Sequence, residues 1–262
     1  EPHLVLAEAG TGVGKTLGYI APASLWAEKN EGTVWLSTFT RNLQRQIDGE
    51  LDRLFADPRV KADKVVVRKG RENYLCLLNL EEAVGRSVLV PGERIALGMM
   101  ARWAEATRDG DMVGGDFPAW LADLLGYGRT LALTDRRGEC IFSACPHYRK
   151  CFVEKNQRKA RGAEIVIANH ALVMVQAARG AFASHERGAP TRFVFDEGQH
   201  VFDAADSAFS AHLTGSEARE LRRWLMGAER RATARRRGLK SRIEDLTADD
   251  ETATQALEEA LN

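Results

Sequence analysis

The sequence predicts a protein of the α/β class with a parallel sheet at its core. Short apolar, β-branched runs alternate with segments of helical periodicity over the first 68 residues and again after residue 151. A glycine-rich turn joins the first apolar run to the first helical segment, and an Asp-Glu pair follows the last apolar run. Because parallel strands end at one edge of the sheet, we expect ligands to bind at that edge.

The elements follow in order from this alternation. The apolar residues 4–7 predict a short buried strand, and Lys15–Asn30 predicts a helix that Pro22 kinks or shortens. Runs rich in β-branched and aromatic residues predict further strands, and apolar residues at helical spacing predict further helices. The strands are expected at 33–38, 64–68, 164–168 and 191–195, and the helices at 41–55, 152–161 and 171–179. This order favours a RecA-like core with right-handed crossovers.

The alternation stops between residues 73 and 151, which we interpret as an insertion. Helical pieces are expected there at 75–84, 93–107 and 120–125. After residue 203 no further strand is predicted; Ser216 is typical of a helix N-cap before an arginine-rich helix at 217–242. An acidic, alanine-rich helix is expected at 249–262. The chain lacks an initiator Met and ends within a helical pattern, so we expect a fragment of a longer protein.

Composition excludes some classes of protein. The chain has 262 residues and a formal net charge of zero, so its overall charge does not indicate a nucleic-acid partner. No apolar run approaches the length of a membrane span, and no signal peptide is recognisable. We therefore expect a cytoplasmic protein, in which the four cysteines stay reduced and serve as ligands or core thiols.

The sequence AGTGVGKT at residues 9–16 has the pattern of a phosphate-binding loop between a strand and a helix. Its glycines allow positive φ angles, so that backbone N–H groups can surround a polyanion. Lys15 is expected to reach the β- and γ-phosphates, and the Thr16 hydroxyl to ligate Mg²⁺. The alternative is a glycine-rich turn with a chance lysine. The predicted nucleotide-binding residues are Ala9, Gly10, Thr11, Gly12, Val13, Gly14, Lys15 and Thr16.

The acidic pair Asp196 and Glu197 follows the apolar run that ends at Phe195. At the carboxyl end of a parallel strand, Asp196 is placed to hold Mg²⁺, and Glu197 to polarise the water that attacks the γ-phosphate. A strand-end Asp-Glu turn is common by itself. In the same chain as a phosphate loop, however, the pair favours an ATP-hydrolysing site in which Lys15 and Glu197 are catalytic.

The four cysteines indicate a second inorganic site. Cys76 is followed, after a long gap, by Cys140, Cys145 and Cys151, a C-x4-C-x5-C group in a polar stretch. Zinc sites usually contain close cysteine pairs such as C-x2-C, which this chain lacks. The wider spacing favours an iron–sulfur cluster. A zinc site with His147 as a substitute ligand and a set of structural cysteines are the alternatives.

With these motifs the sequence resembles the DinG-type branch of the iron–sulfur superfamily 2 DNA helicases, which is related to the XPD helicases. The matching segments are EAGTGVGKT, STFTRNLQRQI, KGRENYLC, the cysteine group followed by IANHALVM, and FDEGQH. Ala in the first loop position is usual in that superfamily. FDEGQH departs from its pattern, because Gly198 and Gln199 stand where Ala and His are commoner; His200 is a partial replacement.

The resemblance implies a fold and a division into domains. Residues 1–72 and 152–203 would form the first RecA-like motor domain, 73–151 an inserted helical iron–sulfur domain, and 204–262 the start of a helical arch domain. A second RecA-like domain, which this class of helicase needs, has no counterpart in the chain. We therefore expect the isolated chain to bind nucleotide and DNA weakly and to hydrolyse ATP poorly.

The resemblance also implies a function. The family couples ATP hydrolysis, with Mg²⁺ and a [4Fe-4S] cluster as cofactors, to 5′-to-3′ movement on single-stranded or forked DNA in repair or replication. The expected protein is a nucleoid-associated monomer, with a single-strand-binding protein or repair proteins as partners. The alternative is a zinc- or cluster-containing DNA-binding ATPase without unwinding activity. The residues expected to contact DNA are Thr38, Arg41, Asn42, Arg71 and Tyr74.

Overall fold

The computed structural model describes residues 3–10, 12–87, 94–135, 140–182, 192–211, 213 and 215–226, and also residues 239, 240, 252, 255, 256 and 259. The chain divides into two compact units, Glu1–Phe209 and Ser210–Asn262. No helix in the described part is long and apolar enough to cross a membrane.

Four parallel strands form the sheet of the first unit: β1 (Val34–Thr38), β2 (Val65–Val67), β3 (Ile165–Asn169) and β4 (Arg192–Phe195). Within the described residues their order is β2-β3-β1-β4, and every neighbouring pair is parallel. The structure therefore confirms the predicted α/β class, and it is consistent with a RecA-like core. Strands β1, β3 and β4 all end at the edge where the acidic pair begins.

Three helices accompany the first two strands: α1 (Lys15–Asn30) precedes β1, and α2 (Arg41–Leu54) and α3 (Pro58–Lys64) connect β1 to β2. Helix α1 has its full predicted length although Pro22 lies inside it, so the predicted shortening is wrong. The burial of Ile20 and Ala27 explains this result, since packing against the sheet contributes more to helix stability than local propensity does. Helix α3 was not predicted.

The two faces of the sheet form separate apolar cores. Val34 and Leu36 of β1 face α1 and α2, whereas Trp35 faces the opposite side, because successive residues of a strand point in opposite directions. The core between the sheet and α1 and α2 consists of Ile20, Ala23, Ala27, Val34, Leu36, Ile47, Leu51, Val65, Ile165 and Ile167. The sheet is thus covered on both faces, as a parallel sheet requires.

Residues 4–7 do not form the predicted buried strand. Leu4 is 87% exposed, Val5 83% and Leu6 89%. The described strands make no pairing with this segment, and β4 is paired only with β1. An apolar run indicates a preference for burial, but a strand forms only where its backbone groups find a partner strand. The prediction is therefore wrong for this structure.

The insertion contains four described helices, α4 (Leu77–Ser87), α5 (Arg94–Ala106), α6 (Ala119–Leu125) and α7 (Tyr127–Ala132), of which α7 was not predicted. They enclose an apolar core of their own, formed by Tyr74, Leu75, Leu80, Ala96, Leu97, Met100, Met112, Leu121, Leu125, Leu133, Phe152 and Val153. The insertion nevertheless belongs to the same compact unit as the sheet.

The loop between α5 and α6 attaches the insertion to the sheet domain. Lys69, which follows β2, forms an ion pair with Asp111, and the two side chains are only 12% and 9% exposed. Asp111 also accepts a hydrogen bond from the Val113 amide at 3.0 Å. The Arg45 guanidinium of α2 donates to the Val113 carbonyl at 3.1 Å. The loop is therefore held by one largely buried ion pair, by a part-buried hydrogen bond and by an exposed hydrogen bond from Arg45.

We expect Asp111→Ala to lower the free energy of unfolding by roughly 3–5 kcal/mol, because it leaves the Lys69 ammonium buried without its partner. Chemical denaturation followed by circular dichroism measures this change. The matched control is Glu50→Ala, which breaks the ion pair with Arg53, 3.0 Å away, and leaves an arginine that is 75% exposed and therefore solvated. Its expected cost is below about 1 kcal/mol. Equal effects of the two substitutions would contradict the importance of the buried pair.

The remaining described helices are α8 (Phe152–Arg161), α9 (His170–Ala178), α10 (Val201–Phe209) and, in the second unit, α11 (Gly215–Met226). Helix α8 matches its prediction. Helix α11 begins at Gly215, so Ser216 lies in its first turn and is not the predicted N-cap. The predicted continuation to residue 242 and most of the predicted helix at 249–262 lie outside the described residues.

Candidate functional site

The glycine-rich loop leads directly into α1. Gly12 and Gly14 have φ angles of +79° and +75°, values that L side chains rarely adopt. Gly14 is the N-cap of α1, no side chain caps this helix, and its first turn contains no acidic residue. The backbone N–H groups at this end are therefore available to an anion such as phosphate. Ala9, Gly10 and Val13 are exposed in the same loop, whereas Thr11 lies outside the described residues.

Lys15 and Glu197 meet although 182 residues separate them. The Lys15 ammonium donates a hydrogen bond to Glu197 Oε1 at 2.7 Å, and both side chains remain about one-third exposed. This contact raises the pKa of Lys15 and lowers the pKa of Glu197 below its usual range. The negative charge of Asp196 also raises the pKa of Lys15. The structure thus brings the loop and the acidic pair to one site.

The acidic pair is held in place from two directions. The Asp196 amide donates to the Ser37 carbonyl at 2.8 Å, which fixes the end of β4 to β1. Glu197 has a φ of +56°, in the left-handed region that is unusual for a residue other than glycine. The Gln199 side-chain amide donates to Glu197 Oε2 at 2.8 Å. Gln199, where the family more often has His, therefore contacts the carboxylate directly.

His200 connects this turn to the end of β1. Its ring stacks on Phe39, with ring centroids 3.9 Å apart and planes within 14°. The charge of His200 also contributes to the lowered pKa of Glu197. Phe39 immediately precedes Thr40, whose hydroxyl caps α2 by accepting from the Leu43 amide. The stacked rings of Phe39 and His200 therefore connect the turn that contains Glu197 to the start of α2. The sequence did not predict this contact.

Tyr19 and His170 border the site. The sequence assigns no role to Tyr19, whereas the position of His170 after a strand predicts a sensor of the cluster domain or of the DNA, or a helix cap. The Tyr19 hydroxyl lies near Thr16 and Asp196, and burial raises its pKa. Helical spacing is the signal for Tyr19, since it lies three residues after Thr16 on the same face. His170 is buried, its Nδ1 is 2.7 Å from the Ser37 hydroxyl, and burial lowers its pKa. His170 therefore lies behind the acidic pair.

The residues predicted to contact DNA are distributed unevenly. Arg41 and Asn42 are exposed in the first turn of α2. Thr38 is completely buried, so its side chain does not reach the surface. Asn169, the neighbour of His170, is a helix cap, because its side chain accepts from the Leu172 amide at 2.9 Å. Of the three residues predicted to contact DNA at the end of β1 and the start of α2, only Arg41 and Asn42 are therefore accessible to a partner.

The four cysteines surround one cavity. Cys76, Cys140, Cys145 and Cys151 are half-buried free thiols, and all four line the same open cavity. Burial raises the pKa of Cys76, and the amides of Asn79 and Leu78 oppose that increase. As the side chains stand, no described group of three or more His, Cys, Asp or Glu residues could hold a metal ion. The cavity brings the thiols together without showing an iron–sulfur site.

Arg71 and Tyr74 belong to this part of the molecule. The Arg71 guanidinium donates to Cys140 Sγ at 3.1 Å and to Glu154 Oε1 at 3.0 Å. Tyr74 is only 3% exposed and packs in the core of the insertion, so it offers no surface to a base. The His147 Nε2 lies 2.6 Å from a Glu81 carboxylate oxygen, so the substitute ligand of the zinc alternative already has a partner.

Several known proteins are similar to this chain over most of its length. The ATP-dependent DNA helicase YoaA of Haemophilus influenzae is 31% identical over 219 residues, which cover 80% of this chain and 32% of that protein. The ATP-dependent helicase DinG of Mycobacterium tuberculosis is 32% identical, covering 82% and 34%. The 3′-5′ exonuclease DinG of Bacillus subtilis is 29% identical, covering 80% and 22%. No protein-family model matches the chain.

The parallel sheet, the glycine-rich loop before α1 and the Lys15–Glu197 contact are consistent with an α/β domain of the P-loop class. The relatives confirm the resemblance to DinG-type helicases that the sequence motifs indicate. The chain is related to the DinG and YoaA proteins, and it spans about a third of the length of the helicases among them.

Proposed function

We propose that the chain is the nucleotide-binding motor half of an ATP-dependent DNA helicase that moves 5′-to-3′ along single-stranded DNA in repair or replication. The observation that carries this proposal is the contact between Lys15 and Glu197. It joins a phosphate-binding group to the carboxylate that would activate water, at the edge of the sheet where parallel strands end. The names of the relatives support the choice of DNA as the substrate.

The proposed roles follow from the chemistry of each group. The loop amides and the Lys15 ammonium bind the phosphates, and the Thr16 hydroxyl and Asp196 hold Mg²⁺. Glu197 accepts a proton from the attacking water. The Lys15 contact is the main cause of its lowered pKa, so the carboxylate becomes a stronger base when Lys15 binds the phosphates instead. Gln199 orients Glu197 through the hydrogen bond to Oε2. The side-chain amide of Gln199 does not change its charge with pH. A histidine in its place would gain or lose a proton near neutral pH.

The four thiols of the cysteine cavity support a [4Fe-4S] cluster by their donor chemistry, although as they stand no described group of side chains forms a metal site. Cluster binding requires four thiolates, and N–H donors near the sulfurs favour the charged form. The Phe142 amide donates to Cys140 Sγ at 3.4 Å, and Arg71 donates to the same sulfur. We propose that Cys76, Cys140, Cys145 and Cys151 hold the cluster. When bound, it crosslinks distant segments and supplies no electrons to ATP hydrolysis.

Arg41 and Asn42 are the proposed contacts to the DNA backbone, because guanidinium and amide groups bind phosphates without reading sequence. Both are exposed at the start of α2, close in sequence to the Phe39–His200 stack. Arginines of the second unit would add phosphate contacts along the strand. We further propose the domain division given above, a cytoplasmic, nucleoid-associated monomer, and a single-strand-binding or repair protein as partner.

Strand displacement by a full-length protein that carries this chain tests the proposal. We expect unwinding of a forked duplex with a 5′ single-stranded arm, and ATP hydrolysis that single-stranded DNA stimulates. Glu197→Gln should retain ATP binding and lose roughly 100-fold or more of the hydrolysis rate, since it removes the general base. DNA-stimulated hydrolysis without strand displacement would support the alternative, a DNA-binding ATPase that does not unwind. Strong DNA-stimulated hydrolysis by the isolated chain would contradict the expectation that this chain alone hydrolyses ATP poorly.

A further inference from the structure

An exposed aromatic ring lies at the rim of the cysteine cavity. Phe142 is 53% exposed and the preceding Ile141 is 49% exposed. Phe142 also has a φ of +49°, a left-handed conformation that bulky residues rarely adopt. A strained residue persists only where its surroundings enforce it, and such residues are concentrated at functional sites. The rim therefore keeps an apolar ring in contact with solvent in an unusual backbone conformation.

A fixed cation supports this ring. The guanidinium carbon of Arg71 lies 4.8 Å from the centroid of the Phe142 ring. Arg71 is held by Glu154 and by the sulfur of Cys140, and its side chain is only 20% exposed. The arginine thus covers part of the ring from the protein side, and the ring remains half exposed to solvent.

The surrounding segment carries a strong local positive charge. Residues 140–161 contain six Lys or Arg residues and one Glu, in a chain whose net charge is zero. Arg149, Lys150, Lys159 and Arg161 of this segment are exposed. Proteins bind single-stranded nucleic acid through two features, exposed aromatic rings and nearby cations. Bases stack on the rings, and phosphates contact the cations.

We propose that Phe142 is a stacking surface for one unpaired nucleobase of single-stranded DNA, with phosphates of the same strand contacting the cations of residues 149–161. This inference rests on the proposed function, and it moves to Phe142 a DNA contact that the sequence predicted at Tyr74, which is buried. The occupant is a single strand, because in duplex DNA the bases are stacked on each other and present no free face.

Equilibrium binding of two fluorescent probes tests the proposal: oligothymidylate of about 15 nucleotides, and an abasic strand of the same length. We expect Phe142→Ala and Phe142→Leu to weaken oligothymidylate binding roughly tenfold and to leave abasic binding unchanged, since only the bases stack. Phe142→Trp should bind like the wild type. The matched control is Phe202→Ala, which removes another ring, 79% exposed on α10, and should change neither affinity.

The outcomes separate this inference from the function on which it rests. The measurements use a full-length protein that carries this chain; if its wild type binds neither probe, the proposed function fails. If the wild type binds oligothymidylate and Phe142→Leu binds it equally well, only the stacking role is wrong. Equal losses on both probes would also overturn it, because they would indicate an effect on charge or folding. Iron content and circular dichroism of each variant show whether Phe142 only covers the cavity.

Discussion

Replacing Lys15 by Ala is expected to weaken the binding of Mg·ATP to the chain by roughly 10- to 100-fold, the cost of removing one hydrogen-bonded charge from a phosphate site. The ammonium is the cation that the structure places beside the acidic pair, and it is two-thirds shielded from solvent. Calorimetric titration of the chain with Mg·ATP measures the change. ATP hydrolysis by a full-length protein with the same substitution should be lost, because the γ-phosphate is no longer positioned.

The structure supplies a control and a second signal for this prediction. Lys29 is an exposed lysine in the last turn of the same helix, so Lys29→Ala should leave the affinity unchanged. The pKa of Glu197 should rise in Lys15→Ala, since Lys15 is the main cause of its lowered value. Carboxyl NMR titration detects this increase. Unchanged Mg·ATP affinity in Lys15→Ala would show that the loop is only a glycine-rich turn.

Replacing Cys76 by Ser is expected to remove the bound iron and sulfide from anaerobically purified protein, together with the visible absorption of the cluster. A four-thiolate site that loses one ligand does not retain a cubane cluster of full stability. Cys76 is the informative position because it comes from a different segment than the other three cysteines, and yet it lines the same cavity. Counting iron, sulfide and zinc together gives the result.

Ser143→Ala is the matched control for the cysteine substitution, since Ser143 is exposed in the turn between Cys140 and Cys145. It should leave the iron content unchanged. One zinc per chain and no iron in the wild-type protein would overturn the cluster proposal in favour of zinc. Wild-type protein without iron, sulfide or zinc would indicate four structural cysteines.

Most of the helices and strands that flank the site were predictable from local signals. Helix α8 has its predicted bounds, and α2 ends one residue earlier than expected. Periodicity and capping residues are local properties, so such elements can be read from the sequence. The strand expected at residues 4–7 did not follow this rule, because strand formation depends on a partner that the local sequence does not contain.

The chemistry at the site was predictable in part. The sequence identified Lys15, Thr16, Asp196 and Glu197 through motif spacing, and the structure brings the loop and the acidic pair together. The Phe39–His200 stack was not predictable, since nothing in either segment indicates that the other is near. The exposed ring of Phe142 was likewise missed, because the cysteine spacing says nothing about which side chains lie at the rim.

Residue type and spacing alone identify the reactive groups of this protein, which are a predicted phosphate-binding loop, an acidic pair and four thiols. The tertiary structure decided which neighbours these groups meet and which side chains reach solvent. Thr38 and Tyr74 are buried, whereas Arg41 and Phe142 are exposed. The physical reason is that exposure and contact depend on residues far apart in the chain, which only the packing of the sheet and the insertion brings together.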